Sequence, residues 1–370
     1  MIRILHYGLS NHLGGIETYL RKLYISINKE KFVFDFLIIG NEKPYWYEEF
    51  KELGSKFYFV TARDVNPFKN KLEIDRIFKN EDYDIMHCHL NSLSYITPVL
   101  SAVKHNIKTI VHSRNAGVLT SIKSKVFHKL NYYRLPKNRI TMLAVSDYAG
   151  EWMFGTESNF KVINNGLDIN KYKFDSNARK KIRAELVVTE DEYLIIHIGA
   201  FRIQKNHFFL LDIFKELLKK KMNAKLILVG DGDLREKIQE KIIDLDITEN
   251  VYLLGERDDV ASLYSSADCL VFPSFYEGFP NAVLEAQTTG IPTIISDTIT
   301  SEVVINSNCL KQSLSSTAEE WSNKIIEMDY SLQREEAYRN ILNAGLSHKQ
   351  EIKKIENIYQ ELFEINKKIN

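Results

Sequence analysis

A chain of 370 residues, 44% hydrophobic and 26% charged, is long enough for two cores and has the composition of an ordinary soluble globular protein. Its 49 Lys and Arg balance 49 Asp and Glu, so no global field recruits nucleic acid. No apolar run of about eighteen residues is present to span a bilayer, and Met1 leads straight into strand-like IRILHYG without room for a signal peptide.

The first half alternates strands with helices, the pattern of a parallel sheet. Strands are expected at Ile2–Tyr7, Phe32–Ile39, Phe57–Val60, Ile85–Cys88, Thr109–His112 and Met142–Val145. Helices are expected at Ile16–Ile27, Trp46–Leu53, Asn70–Lys79 and Ser92–His105, with another after Ser146-Asp147. From Asn164-Asn165-Gly166 to Thr189 the chain is charged and mobile in character, which places a domain boundary there. The second half restarts the rhythm at Tyr193–Ile198, Lys225–Val229, Val251–Leu253, Cys269–Phe272 and Thr293–Ile295, and Glu319 to Asn370 reads as helical throughout. Three scattered cysteines, Cys88, Cys269 and Cys309, show no zinc spacing and imply a reducing cytoplasm.

The most informative stretch is CLVFPSFYEGFPNAVLEAQTTGIPT, Cys269 to Thr293. A buried strand stops at Pro273, a loop follows, and a helix starts at Pro280-Asn281 and ends at Gly290. Strand end, loop and helix N-terminus form the usual anion pocket of an open α/β sheet. Glu277 and Glu285 sit eight residues apart in it. The same interval recurs at Glu73/Glu81, Glu319/Glu327, Glu327/Glu335 and Glu356/Glu364, so setting and not spacing singles this pair out.

This stretch resembles the family-4 retaining glycosyltransferases of the GT-B fold. Their signature pairs a glutamate before Gly-Phe with a second one eight residues on, here Glu277, Gly278, Phe279 and Glu285, followed by Gly290-Ile291-Pro292. The resemblance implies two Rossmann-like doubly wound α/β domains facing across a cleft, at 1–168 for the acceptor and 169–346 for a nucleotide-sugar. It also implies a last helix, 347–370, that crosses back onto the first domain with Ile352, Ile355, Tyr359 and Leu362 as its buried stripe.

Other segments fit the same resemblance. Gly14-Gly15, with Glu17 after it, is a weak signal alone but looks like the family's glycine-rich loop. His112 ends a strand and looks like the family's cleft histidine, which touches the transferred sugar or the acceptor hydroxyl. His87 and His89 share one strand face and read as hydrogen-bonded structural residues; no acid supports a metal site among the three. Lys205-Asn206 matches the family's phosphate-binding segment, but the arginine position is Ala200, and Arg202 either replaces it or is a solvated surface residue. Asp231-Gly232-Asp233 reads as a turn and not as a metal site, and Gly255-Glu256-Arg257 lies near the base by analogy.

The implied activity is retaining transfer from a UDP-linked sugar to a glycan or lipid-linked acceptor in cell-surface polysaccharide synthesis, with no cofactor and no metal. Glu277, Lys205 and His112 carry the catalysis. Gly14, Gly15, Glu17, Arg202, Asn206, Gly278, Phe279, Pro280, Asn281 and Glu285 bind substrate. Alternatives are a UDP-sugar 2-epimerase of the same fold and a non-catalytic sugar-nucleotide or glycan-binding partner. Residues 121–140 hold Lys123, Lys125, Lys129, Arg134, Lys137 and Arg139 with no acid. They are either a peripheral surface for anionic lipid or a basic helix solvated on one side.

Overall fold

The structure is a computed structural model and describes residues 1–117, 121–220, 223–328 and 331–369, with side chains through 365. It divides into two compact units, Met1–Asn165 with Lys349–Asn370, and Gly166–His348, against boundaries expected after 168 and 346. Each is a parallel sheet clothed by helices, the Rossmann-like arrangement expected from the alternating pattern.

In the first unit the strands are β1 (Ile2–Tyr7), β2 (Phe32–Ile39), β3 (Phe57–Val60), β4 (Ile85–Leu90), β5 (Lys108–Ser113), β6 (Ile140–Ala144) and β7 (Lys161–Val162). Their order is β3-β2-β1-β4-β5-β6-β7, so the winding reverses between β1 and β4. One face packs under the helix Gly15–Ser26 and the last helix, His348–Ile369; the other packs under Pro67–Asn80 and Thr97–Lys104. The last helix buries Ile352, Ile355, Ile358 and Tyr359, with Leu362 partly covered. Each fully buried aliphatic side chain of this kind stabilises by about 1.5–3 kcal/mol, which holds the chain's end in the first unit.

The second unit contains β8 (Tyr193–Ile198), β9 (Ala224–Val229), β10 (Val251–Gly255), β11 (Cys269–Phe272), β12 (Thr293–Ser296) and β13 (Cys309–Gln312), ordered β10-β9-β8-β11-β12-β13. Its reversal lies between β8 and β11. The edge strand β13, CLKQ, lacks the apolar run that marks buried parallel strands, and periodicity did not reveal it.

Three expectations need correction. The charged segment after Gly166 is not a mobile linker. It contains the helix Ser176–Glu185, capped by the Asp175 carboxylate, and Arg183 on it is buried, donating to the carbonyls of Ser266, Glu192 and Thr189 and to Asp268. The helix expected from Ser92 begins only at Thr97, because Pro98 fits a first turn but not a helix interior. Among the described residues the C-terminal stretch forms three helices, Ala318–Ile326, Arg334–Asn343 and His348–Ile369. A capping box of Thr317 and Glu320 starts the first, and Gly345, at φ 72°, separates the last two. Among the described residues no helix is long and apolar enough to cross a membrane.

Candidate active site

At the winding reversal of the second unit, two loops are stitched together. Gln204 Nε2 donates to the Tyr276 carbonyl at 2.8 Å, Asn206 Nδ2 to the Pro273 carbonyl at 3.1 Å, and the Phe275 amide to the Gln204 carbonyl at 2.9 Å. Asn206 closes the short turn Ile203–Lys205 in the left-handed region, φ 55°, which asparagine tolerates better than most residues. The turn aims Lys205 at the neighbouring loop, where its Nζ lies 2.7 Å from Glu277 Oε1. A Cβ at Gly199 would come within 3.0–3.3 Å of the Lys205 side-chain carbons; glycine lets that chain lie across the strand end. The pair keeps 19% and 10% of its side chains exposed. A partly exposed pair contributes little stability, so its consequence is the placement of an ammonium.

The helix Asn281–Thr289 starts beside this pair. Its N-cap is Pro280, which supplies no side-chain cap, so the polarity of the first-turn amides points toward the loop. Phe279 is buried beneath and anchors the Gly278–Pro280 bend. Glu285, one turn into the helix, is held by two tyrosines: the Tyr264 hydroxyl is 3.1 Å from its Oε2, and Tyr172 bonds the same side chain. Burial, and then the Glu285 charge, raise both phenol pKa values. Both therefore stay protonated as donors. No motif marked these tyrosines in the sequence.

Arg202 precedes the turn that carries Lys205, and its carbonyl accepts from the Lys205 amide at 3.0 Å. Arg202 is exposed, and among the described residues no ion pair forms on it. Asp231 accepts from the Gly232 amide at 2.7 Å as a tight turn; Gly232 has φ 153°, and a Cβ there would lie 2.8 Å from the Phe201 carbonyl. Arg257 is engaged by Asp259 and Glu185.

In the first unit, Gly14 caps the helix that opens at Gly15, and Gly15 faces open space. Glu17 is buried, and its Oε1 accepts from the amide and hydroxyl of Ser10, both at 2.8 Å. It therefore organises the glycine loop, where the sequence reading had it binding substrate.

His112 lies one residue before the end of β5, which runs on to Ser113; its ring is fully buried and both nitrogens are engaged. The strand register aligns His6 with His87 and His89 with His112, so four imidazoles gather on one face. Arg114 Nη1 lies 3.3 Å from His112 Nε2, and a guanidinium can only donate. His112 therefore carries its proton on Nδ1 and donates to His87 Nε2 at 3.3 Å; His87 in turn donates from Nδ1 to the Tyr359 hydroxyl at 2.7 Å. As it stands, His112 cannot reach a sugar or an acceptor hydroxyl directly. Arg114, stacked 3.6 Å above the Tyr19 ring and bonded to Asn165, is the more accessible group. His6, His87 and His89 also offer nitrogens within 4.8 Å of one another, a geometry that a metal ion can use. No carboxylate belongs to that group, and His6 and His89 already bond each other at 3.1 Å.

Residues 178–343 match the model of the family described as glycosyl transferases group 1. A glycosyltransferase of Methanocaldococcus jannaschii, MJ1607, itself uncharacterized, is 32% identical over 77% of this chain and 77% of its own. The chain belongs to the group 1 glycosyltransferase family. An Escherichia coli relative, the UDP-Gal:alpha-D-GlcNAc-diphosphoundecaprenol alpha-1,3-galactosyltransferase, is 24% identical over 84% of this chain and 81% of its own. The Anabaena protein HepE, solved with UDP and glucose, superposes with a TM-score of 0.77 at 17% identity, over 98% of this chain and 100% of that one. That likeness identifies the fold as GT-B. The protein is thus a transferase built on two Rossmann-like units.

Proposed function

We propose that this glycosyltransferase takes its sugar from a UDP-linked donor held by the second unit and transfers it with retention of anomeric configuration. The observation that carries the reading is the Lys205–Glu277 pair at 2.7 Å, set at a sheet's winding reversal beside the start of the helix Asn281–Thr289. Glu285 accepts hydrogen bonds from the ribose hydroxyls. Glu277 and the backbone of Gly278 to Asn281, with Phe279 and Pro280 shaping the bend, hold the sugar and phosphate. As the bond from the anomeric carbon to phosphate breaks, its electron pair passes to the leaving diphosphate. Lys205, assisted by Asn206 and the helix N-terminus, stabilises the charge that develops there, at about 3 kcal/mol for a well-placed donor.

The acceptor hydroxyl attacks from the same face, and a leaving phosphate oxygen takes its proton, so no side-chain nucleophile, metal or cofactor is assigned. The acceptor is a glycan or a lipid-linked glycan of cell-surface polysaccharide synthesis, met at the cytoplasmic face of the membrane. Gly14, Gly15 and Arg114 lie on the acceptor's side, with His112 acting through Arg114.

The experiment is a thermal-shift panel of UDP, GDP and ADP sugars followed by product analysis. UDP-sugar should raise the midpoint with the logarithm of ligand excess, and the product should keep the donor's anomeric configuration. Stabilisation by GDP- or ADP-sugars alone removes the UDP assignment, and an inverted product removes retention. Ala200, where the family has an arginine, favours a non-catalytic sugar-nucleotide-binding role; sustained UDP release with acceptor excludes it.

A further inference from the structure

The basic segment at 121–140 does not present its cations uniformly. Lys137 Nζ donates to the Phe154 carbonyl at 2.5 Å, and Arg139 Nη2 to the Val103 carbonyl at 2.9 Å, so both are drawn inward. The helix Ile122–Arg134 instead shows solvent a stripe of Ile122, Val126, Leu130 and Tyr133 at helical spacing. Lys125 and Lys129 flank the stripe on one side, Lys123 and Arg134 on the other. A second exposed apolar pair, Val65 and Phe68, precedes and opens the helix Pro67–Asn80. All six side chains are between 51% and 82% exposed, a density that marks an interaction surface.

Between these two apolar segments lies a cavity of about 310 Å³, lined by Ile39, Arg63, Asp64, Tyr95, Lys123 and Phe127 among others. It sits beyond the carboxyl ends of β2 and β3. The Arg63 guanidinium is held in place: it donates to the Ser94 carbonyl at 2.8 Å and lies 4.7 Å from the Phe127 ring centroid and 5.3 Å from that of Tyr95. Only one of its five donors is used at Ser94. Arg63 and Lys123 against Asp64 leave the cavity one net positive charge.

A cationic cavity rimmed by exposed aliphatic and aromatic side chains fits one kind of occupant, an anionic head on an apolar tail. We infer that this cavity receives the terminal phosphate of a membrane lipid, between Arg63 and Lys123, while the stripe and the Val65–Phe68 pair enter the interfacial layer. The inference rests on the reading of a membrane-side acceptor, and the lipid it names is a docking lipid beside that acceptor, not the glycan-bearing acceptor itself. A fork of guanidinium donors with a neighbouring ammonium suits a phosphate monoester, with several acceptor oxygens, better than a phosphodiester. A surface that responds to charge alone has no such preference.

The test is co-sedimentation of the full chain with phosphatidylcholine vesicles containing phosphatidate or phosphatidylglycerol, matched in zeta potential, with UDP thermal shift as a separate readout. Wild type should favour phosphatidate. Arg63→Gln with Lys123→Gln should abolish that preference, beyond the loss of about fivefold per cation that any anionic surface gives. Lys125→Gln with Lys129→Gln should bind more weakly overall yet keep the preference. Ile122→Ser with Val126→Ser should weaken binding to both vesicles. An equal response to the two lipids, a preference that survives Arg63→Gln with Lys123→Gln, or binding of inorganic pyrophosphate in solution with none to vesicles overturns the inference. Because UDP binding is measured independently, loss of the lipid result leaves the transferase reading standing, and the reverse also holds.

Discussion

The two units solve the same topological problem with opposite chemistry. Each parallel sheet reverses its winding once, at β1/β4 in the first unit and at β8/β11 in the second. In the second, glycines and a left-handed asparagine open the strand ends, and a lysine and a glutamate remain partly exposed there. In the first, His6, His87, His89 and His112 fill the corresponding position with buried rings, bonded in pairs and capped by Arg114 and Tyr359. A strand's carboxyl end is therefore a place where chemistry can be mounted. Whether it faces a ligand or the core depends on the loops that follow.

Acid should expose this contrast most strongly. Burial pushes His6 down to about 3 and lowers His87, His89 and His112 well below the usual imidazole value; in the second unit His197 falls to about 4 and His207 to about 2. A depressed folded-state pKa means that the unfolded chain binds more protons, so stability is full above about pH 6.5 and declines as pH falls toward the folded values. With four such rings against two, the first unit should open first on acidification. Hydrogen exchange followed by unit from pH 7 downward measures this, and earlier opening of the second unit breaks the comparison.

Next in size is the exposed pair. Lys205→Ala and Glu277→Gln should each lower turnover by about a hundredfold or more with the fold intact by circular dichroism. Because the two side chains touch, the double variant should lose less than the product of the single effects. Near-normal transfer by both single variants removes the site.

On the buried side, Tyr359→Phe leaves the His87 Nδ1 proton without its acceptor. A buried donor left unpaired costs about 1–3 kcal/mol, which should lower the first unit's melting temperature by about 5 °C without changing the KM for donor. An unchanged melting temperature contradicts the proton order drawn from Arg114. The smallest effect expected is at Tyr264. Removing its hydroxyl takes away one of the two tyrosine donors to Glu285 and should raise the donor KM by about fivefold while kcat changes little. A fall in kcat with KM unchanged places Glu285 in the chemical step instead.

Much of this was legible in the chain itself. Apolar runs gave most of the strands, though not β13, and the Pro280 start and Gly290 stop gave the key helix to the residue, because these signals are local. Tyr264 and Tyr172 were not legible, since they approach Glu285 from elements distant in sequence. The two inward cations of the basic segment were equally hidden: a lysine's charge is written in the sequence, but the carbonyl it finds is not.

Sequence alone thus determined most of the strands and helices, though not β13 or the helix Ser176–Glu185, through periodicity, proline and glycine, and it placed Lys205 and Glu277 on loops that follow strands. Only the tertiary structure decided that these loops are neighbours, that four histidines from three strands share one buried face, and that Glu17 supports a loop. The physical reason is register. Pairing strands far apart in the chain aligns side chains that no local pattern connects, and burial then determines which polar groups satisfy one another and which remain for a ligand.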